Sequence, residues 1–263
     1  MKSTTSKFLS HLAIGLLVIP FASNATQDNL GYNIAAKADR SDRGFEVSAV
    51  DLKMRLIDKK GQETERLLTM KTMEVADEDK GDKSLIIFNS PADVKETKLL
   101  SHAQIIDADD QWLYLPALKR VKRISSANKS GPFVGSEFAF EDFTAQELNK
   151  YSYEYVAEET CGELTCAVID RFPKYENSGY TKQRALIDTK DYQVRKIDFY
   201  DRKGSHLKTL SLDNYKLYQQ AYWRPLTMTM ENHQSGKKTI LEFSDYQFDI
   251  SLSARDFIKS SLK

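Results

Sequence analysis

"TKQRALIDTKDYQVRKIDFYDRKGSHLKTLSLDNYKLY", residues 181–218, decides the fold. Apolar and polar side chains alternate along it, and residues that favour tight turns interrupt the alternation at Asp188–Asp191 and Asp201–Gly204. Strands joined by links this short run antiparallel, because a parallel neighbour needs a crossover of about a dozen residues or more. The next stretch, "YWRPLTMTMENHQSGKKTILEFSDYQFDI" (222–250), repeats the pattern and turns at "NHQSGKK".

Nearer the N-terminus, "GFEVSAVDLKMRLIDKKGQ" (44–62) sets Val50, Leu52, Met54 and Leu56 on one parity, whereas Phe45, Val47 and Ala49 lie on the other. The switch predicts a β-bulge near Ala49–Val50. "ETERLLTMKTMEV" (63–75) returns from the "DKKG" turn, and "LIIF" (85–88) reads as a short, fully apolar strand. Helical spacing is confined to 29–45, with Leu30, Ile34 and Ala35 on one face and a stop near Gly44, and to 140–149 and 253–262, with Ser253 as the cap of the last. The fold class is therefore mainly β with a few helices, built on a curved antiparallel sheet that forms a partial barrel. No fixed-period repeat or Pro/Gly-rich linker divides residues 26–263, which read as one domain.

Residues 1–25 read as an export signal. Lys2 and Lys7 form the charged start, "FLSHLAIGLLVIPFA" (8–22) the apolar core, and "SNA" puts Ser23 and Ala25 at the small-residue positions of a cleavage site. The whole chain of 263 residues carries 38 basic and 38 acidic side chains, and loss of the two signal lysines leaves 36 basic against 38 acidic. An exported, near-neutral protein is not a nucleic-acid binder, since that affinity rests largely on phosphate neutralisation. Cys161 and Cys166, in "ETCGELTCAVID", are the two cysteines of the chain, and outside the cytoplasm they are expected to pair across a hairpin. A ring this short stabilises by only about 2 kcal/mol.

Catalytic chemistry finds little support. His102, His206 and His233 lack the spacing of a metal pair and read as surface histidines near strand ends. Asp107, Asp109 and Asp110 lack the glycine and distal Glu of a calcium loop and read as a solvated turn. No nucleophile elbow, phosphate loop or dinucleotide fingerprint occurs, so no catalytic residue, metal or cofactor is expected. What stands out is apolar: Leu226, Met228 and Met230 share one face of their strand, Trp112 and Tyr114 one face of another. Such runs either form plain core or line a cavity, and Met suits an adaptable binding surface.

"DQWLYLPALKRVKRISSANKSGPFVGSEFAFEDF" (110–143) resembles the signature block of the LolA-like outer-membrane lipoprotein-sorting protein family. The matching positions are Trp112, Tyr114, Pro116, Arg120, Arg123, Gly135, Ser136, Phe138, Glu141 and Asp142. "FNSPADVKETKLLSH" (88–102) resembles an upstream block of that family, although Glu96 and Thr97 stand where a small residue is expected, and "YWRPLTMTMENHQSGKKTIL" (222–241) resembles its W-x-P-x-x-M-x-M strand and hairpin.

The resemblance implies a half-open, LolA/LolB-like antiparallel barrel plugged by helices. It also implies a periplasmic carrier that holds the acyl chains of lipoproteins or other lipids. On that reading Trp112, Tyr114, Leu226, Met228 and Met230 line the cavity. Burying an acyl chain of about sixteen carbons gains on the order of 10 kcal/mol. Lys119, Arg120, Lys122 and Arg123 either meet anionic head groups or an acidic partner, or guard an exposed edge strand against aggregation. Implied partners are lipid or lipoprotein acyl chains and an outer-membrane acceptor. In the alternative reading the groove docks an accessory module onto an inner-membrane exporter of the resistance-nodulation-division (RND) type.

Overall fold

The structure, a computed structural model, describes residues 24–76, 80–145 and 147–263. Residues 1–23 of the expected export signal lie outside the described residues. Helix α1 spans Asn24–Ser41, and thirteen strands follow: β1 (Val47–Ile57), β2 (Glu63–Met73), β3 (Lys83–Ser90), β4 (Lys98–His102), β5 (Asp110–Leu115), β6 (Arg120–Arg123), β7 (Tyr151–Cys161), β8 (Leu164–Pro173), β9 (Tyr180–Asp188), β10 (Val194–Asp201), β11 (His206–Tyr218), β12 (Tyr222–Asn232) and β13 (Lys237–Phe248). All belong to one antiparallel sheet, in the order β6-β5-β4-β3-β2-β1-β13-β12-β11-β10-β9-β8-β7. Two meanders thus meet at the β1–β13 pair. β6 and β7 form the free edges, and the curved sheet stays an incomplete barrel.

The sequence logic is visible in the register. The ladder of β1 with β13 shifts between Ala49 and Asp51, the bulge that the parity switch predicts. Further shifts between Tyr155 and Ala157, and between Phe199 and Tyr200, add local twist. The expected turns end β9 at Asp188, β10 at Asp201 and β12 at Asn232. Cys161 and Cys166 are joined in a disulfide at the β7–β8 hairpin.

Because β6 and β7 lie at opposite edges, the chain between them, residues 124–150, must cross the whole sheet. It lays Phe133, Phe138 and Phe143 on the inner face, where they are buried with Met54, Leu68, Phe88, Met230 and Leu241. Ring centroids are 4.5 Å apart for Phe133–Phe143 and 5.6 Å for Phe88–Phe133. The helix expected over 140–149 is instead two 3-10 turns, Phe140–Phe143 and Leu148–Lys150. Side chains of the first turn are tied to the sheet, and Thr144 is already extended.

α1 crosses the same face nearer the other end and packs on β7. The reason for its position is Gly31: a Cβ there would lie 2.8 Å from the Tyr155 backbone nitrogen. Helix and strand backbones therefore touch, with Ala35 and Ala36 buried behind. Leu30, expected on the packed face, is 43% exposed, because the contact follows the small residues. The C-terminal helix is also two 3-10 turns, Ala254–Phe257 and Lys259–Leu262, started by Ser253, whose N–H donates to the Asp256 carboxylate. This strap covers the outer face of the first meander. Among the described residues no helix is long and apolar enough to cross a membrane.

Candidate functional site

The inner face is bounded at both ends by polar clamps. At the crossing-segment end, Lys208 is 3% exposed and donates to Asp142 at 2.7 Å and to the Glu137 carbonyl at 2.9 Å. Asp142 also accepts from the Tyr180 hydroxyl at 2.8 Å and the Ala139 N–H at 2.7 Å. Its neighbour Glu141 accepts from Tyr175, Ser178 and the Gly179 N–H. Burial, and next the adjacent Asp142, push the Glu141 carboxyl above its usual range, and burial likewise raises the Tyr180 hydroxyl. Glu141 and Asp142 belong to the signature block, and they fasten the crossing segment to β9 and β11. That pairing could not be read from β11 alone: alternation puts Lys208 on the face of Leu210 and Leu212, but its carboxylate partner lies 66 residues away.

Asp109, read as part of a solvated turn, is buried. Lys150 forms an ion pair with its carboxylate, Lys129 donates to its carbonyl, and the Gln104 N–H donates to the carboxylate at 2.8 Å. Burial lowers the Lys129 ammonium below its ordinary value. The loop before β5 is thereby tied to both ends of the crossing segment. This excludes Asp109 from a free calcium loop.

At the α1 end, Asp42 pairs with Arg224, whose guanidinium sits 5.1 Å from the ring centre of Phe45 and 5.6 Å from that of Phe248. Tyr246 stacks nearly parallel on Phe248 and on Phe243. Between the two clamps β12 and β13 expose a strip of half-buried apolar side chains. Met228, Phe243, Tyr246 and Met70 border the core there, and Leu226 shares the face of Met228 by strand alternation. Met230 is fully buried under the crossing segment. Phe243 and Tyr246 were not singled out by sequence pattern, although alternation of Leu241 and Phe243 marks the same face.

Trp112 and Tyr114 lie elsewhere. Directly opposite residues share a face, and Trp112 faces Leu100 whereas Leu113 faces Leu99. Leu99 and Leu113 belong to the inner core; Leu100, Trp112 and Tyr114 pack with Leu85, Phe257 and Leu262 beneath the C-terminal strap. The five residues expected to line one cavity are therefore split between two faces: Leu226, Met228 and Met230 inside, Trp112 and Tyr114 outside. Two cavities of about 270 Å³ and 190 Å³ lie away from the strip. Asp51, Lys71 and Asp245 line the first, Asp58, Glu137 and Lys237 the second, so neither suits an acyl chain.

Lys119, Arg120, Lys122 and Arg123 are exposed at or beside β6, an edge strand of four residues. Arg123 pairs with Asp110 across the β5–β6 ladder. Short, charged edges resist pairing with a second sheet. His102 is not a surface histidine: it contacts the Phe257 carbonyl at 2.7 Å under the strap, and burial lowers its pKa. His206 and His233 are exposed.

A half-open antiparallel barrel with an apolar inner face defines a LolA-type fold. A family model described as "Uncharacterized protein" matches residues 80–263. Among solved structures, a domain described as an outer membrane lipoprotein-sorting protein from Vibrio parahaemolyticus is 47% identical; the match covers 89% of this chain and 99% of that one, with a TM-score of 0.86. A DUF1329 family protein from Desulfovibrio piger is 26% identical over 90% of this chain and 99% of its own, with a TM-score of 0.85. A LolA superfamily protein from Nitrosomonas europaea, 20% identical over 88% and 98%, shares the fold with a TM-score of 0.70. No curated protein matches the chain. The chain belongs to the LolA-like outer-membrane lipoprotein-sorting protein family.

Proposed function

We propose that the protein is a non-enzymatic periplasmic carrier, exported by a cleaved signal, that shields acyl chains of lipoproteins or other lipids. The observation that carries this is the apolar, partly exposed strip on the inner face, Leu226–Met228 with Phe243 and Tyr246, between two polar clamps. The Vibrio relative, described by lipoprotein sorting, supports the cargo class. Leu and Met side chains adapt to a flexible chain, and partial exposure suits release to an acceptor that buries the chain as well. Trp112 and Tyr114 take no part. The basic edge at Lys119–Arg123 guards the sheet and is a secondary candidate for head-group contact.

Displacement of a fluorescent fatty acid measures the proposal. Met228→Asp and Leu226→Asp should each weaken binding by about tenfold or more, and because both positions are partly buried and an introduced carboxylate also costs stability, binding is compared at a temperature where circular dichroism shows each variant folded. Unchanged binding in both variants would place the acyl site elsewhere.

A second reading follows from the crossing segment. Phe133, Phe138 and Phe143 fill the inner face beneath residues 124–150, which favours a shallow groove over a deep cavity. A groove of that kind suits docking of the protein as an accessory module on an RND-type exporter. Co-purification with inner-membrane protein in place of lipid supports that alternative.

A further inference from the structure

We propose, on the basis of the carrier function, that Arg224 and its neighbour Lys216 seat an anionic head group at the α1 end of the apolar strip, and that Asp42 holds the place of that head. The ligand is then an acyl chain ending in a carboxylate or a phosphate, a fatty acid or a phospholipid. Arg224 precedes Leu226 by two residues on β12, so strand alternation puts both on one face. From the strip, Phe243, Tyr246 and Phe248 stack in a row toward it, with ring centroids 6.0 Å and 6.2 Å apart. The guanidinium lies 5.6 Å from the centre of the last ring and 5.7 Å from that of Tyr222.

Held among these rings, the Arg224 side chain is only 10% exposed, yet most of its hydrogen-bonding capacity is idle. Nη1 donates to the Asp42 carboxylate and to the Trp223 carbonyl at 2.9 Å. Among the described residues Nε and Nη2 meet no acceptor, and neither is sealed from solvent. That edge of the guanidinium carries two parallel N–H groups, the fork that takes a carboxylate or phosphate side-on. Lys216 of β11 stands directly opposite Arg224. Two like charges in that position destabilise a sheet. The Lys216 ammonium lies 4.9 Å from the Tyr218 ring centre and has no carboxylate partner among the described residues. An anion bound between the two cations removes their repulsion.

Asp42 is suited to give way. Its side chain is 61% exposed, and it follows directly on the last residue of α1, where the helix carbonyls disfavour a carboxylate. The other carboxylates at this end are engaged: Asp39 pairs with Arg43, Glu74 accepts from the Gly44 and Glu46 N–H groups, and Asp249 accepts from Gln219. Loading therefore exchanges one anion for another on Arg224 and returns Asp42 to water.

Displacement of a neutral fluorescent acyl probe by palmitate, palmitoyl lysophosphatidic acid or monopalmitin tests the seat. The three share one chain and differ in the head, a carboxylate, a phosphate or an uncharged glycerol. At least one anion should bind about tenfold tighter than monopalmitin, and the tighter of the two identifies the head. Arg224→Gln should abolish this preference and Lys216→Gln reduce it by about threefold, whereas Asp42→Asn should tighten the anions by about threefold with monopalmitin unchanged. Lys216 and Asp42 are exposed, so their variants report even where Arg224→Gln fails to fold. Equal affinity of the parent for all three lipids would overturn the seat and leave the carrier function standing. So would a preference that is undiminished in Lys216→Gln and not raised in Asp42→Asn. Displacement by none of the three would overturn both.

Discussion

Replacing Lys208 by Met removes the cation that pairs with Asp142 in the buried clamp. Both side chains are nearly inaccessible, 4% and 7% exposed, and their ion pair is 2.7 Å long. The variant leaves Asp142 buried with only the Tyr180 hydroxyl and the Ala139 N–H as donors, and it orphans the Glu137 carbonyl. Breaking a buried pair from one side costs about 3–5 kcal/mol. For a domain of this size each kcal/mol lowers the melting point by about 2–4 °C, so a fall of about 10 °C is expected. Adding Asp142→Asn removes the stranded charge and keeps an acceptor for Tyr180. The double variant should therefore recover about 1–2 kcal/mol relative to Lys208→Met alone. Urea denaturation of the parent, both single variants and the double variant measures the coupling. A cost below about 1 kcal/mol for Lys208→Met, the range of a surface pair, would refute the claim that this clamp fastens the crossing segment.

Further outcomes follow from the same geometry. Burial opposes ionisation of Asp170, but hydrogen bonds from Arg184 and Lys182 outweigh it and hold the carboxyl below its usual range. Its contribution is present above the ordinary carboxylate pKa and is lost as pH falls through the lower folded value, so Asp170→Asn should flatten the acid limb of stability in a urea series at falling pH. Gly31→Val drives two methyl groups toward the β7 backbone and should cost about 1–3 kcal/mol, with faster proteolysis within α1 as the direct readout. Replacing both Cys161 and Cys166 by Ser should cost about 2 kcal/mol and leave the circular dichroism of the folded state unchanged.

The strand plan was legible because it rests on local chemistry. The parity switch at Ala49–Val50 is a bulge, and the Asp- and Gly-rich links end strands where expected. Alternation also puts Met228 with Met230 and Trp112 with Tyr114. It cannot say which of two apolar faces looks inward, since that depends on where distant segments cross. Residues 124–150 claim one face of β5 and the C-terminal strap the other, and only their paths assign Leu113 to the inside and Trp112 to the outside. Asp109 was misread for the same reason: its partners Lys129 and Lys150 lie 20 and 41 residues away. The helical spacing of 140–149 is real, but anchoring of Glu141 and Asp142 to β9 and β11 holds the segment as turns. Leu30 follows a simpler rule, that the helix face with the smallest residues approaches the sheet most closely.

Photo-crosslinking a diazirine-bearing fatty acid to the protein and mapping the adducts by mass spectrometry shows whether an acyl chain lies on the inner strip. Labels are expected on peptides containing Leu226–Met228 and Phe243–Tyr246, competed by unlabelled palmitate and lost in Met228→Asp. Labels concentrated at Trp112 and Tyr114, or labelling that palmitate does not compete, would contradict it.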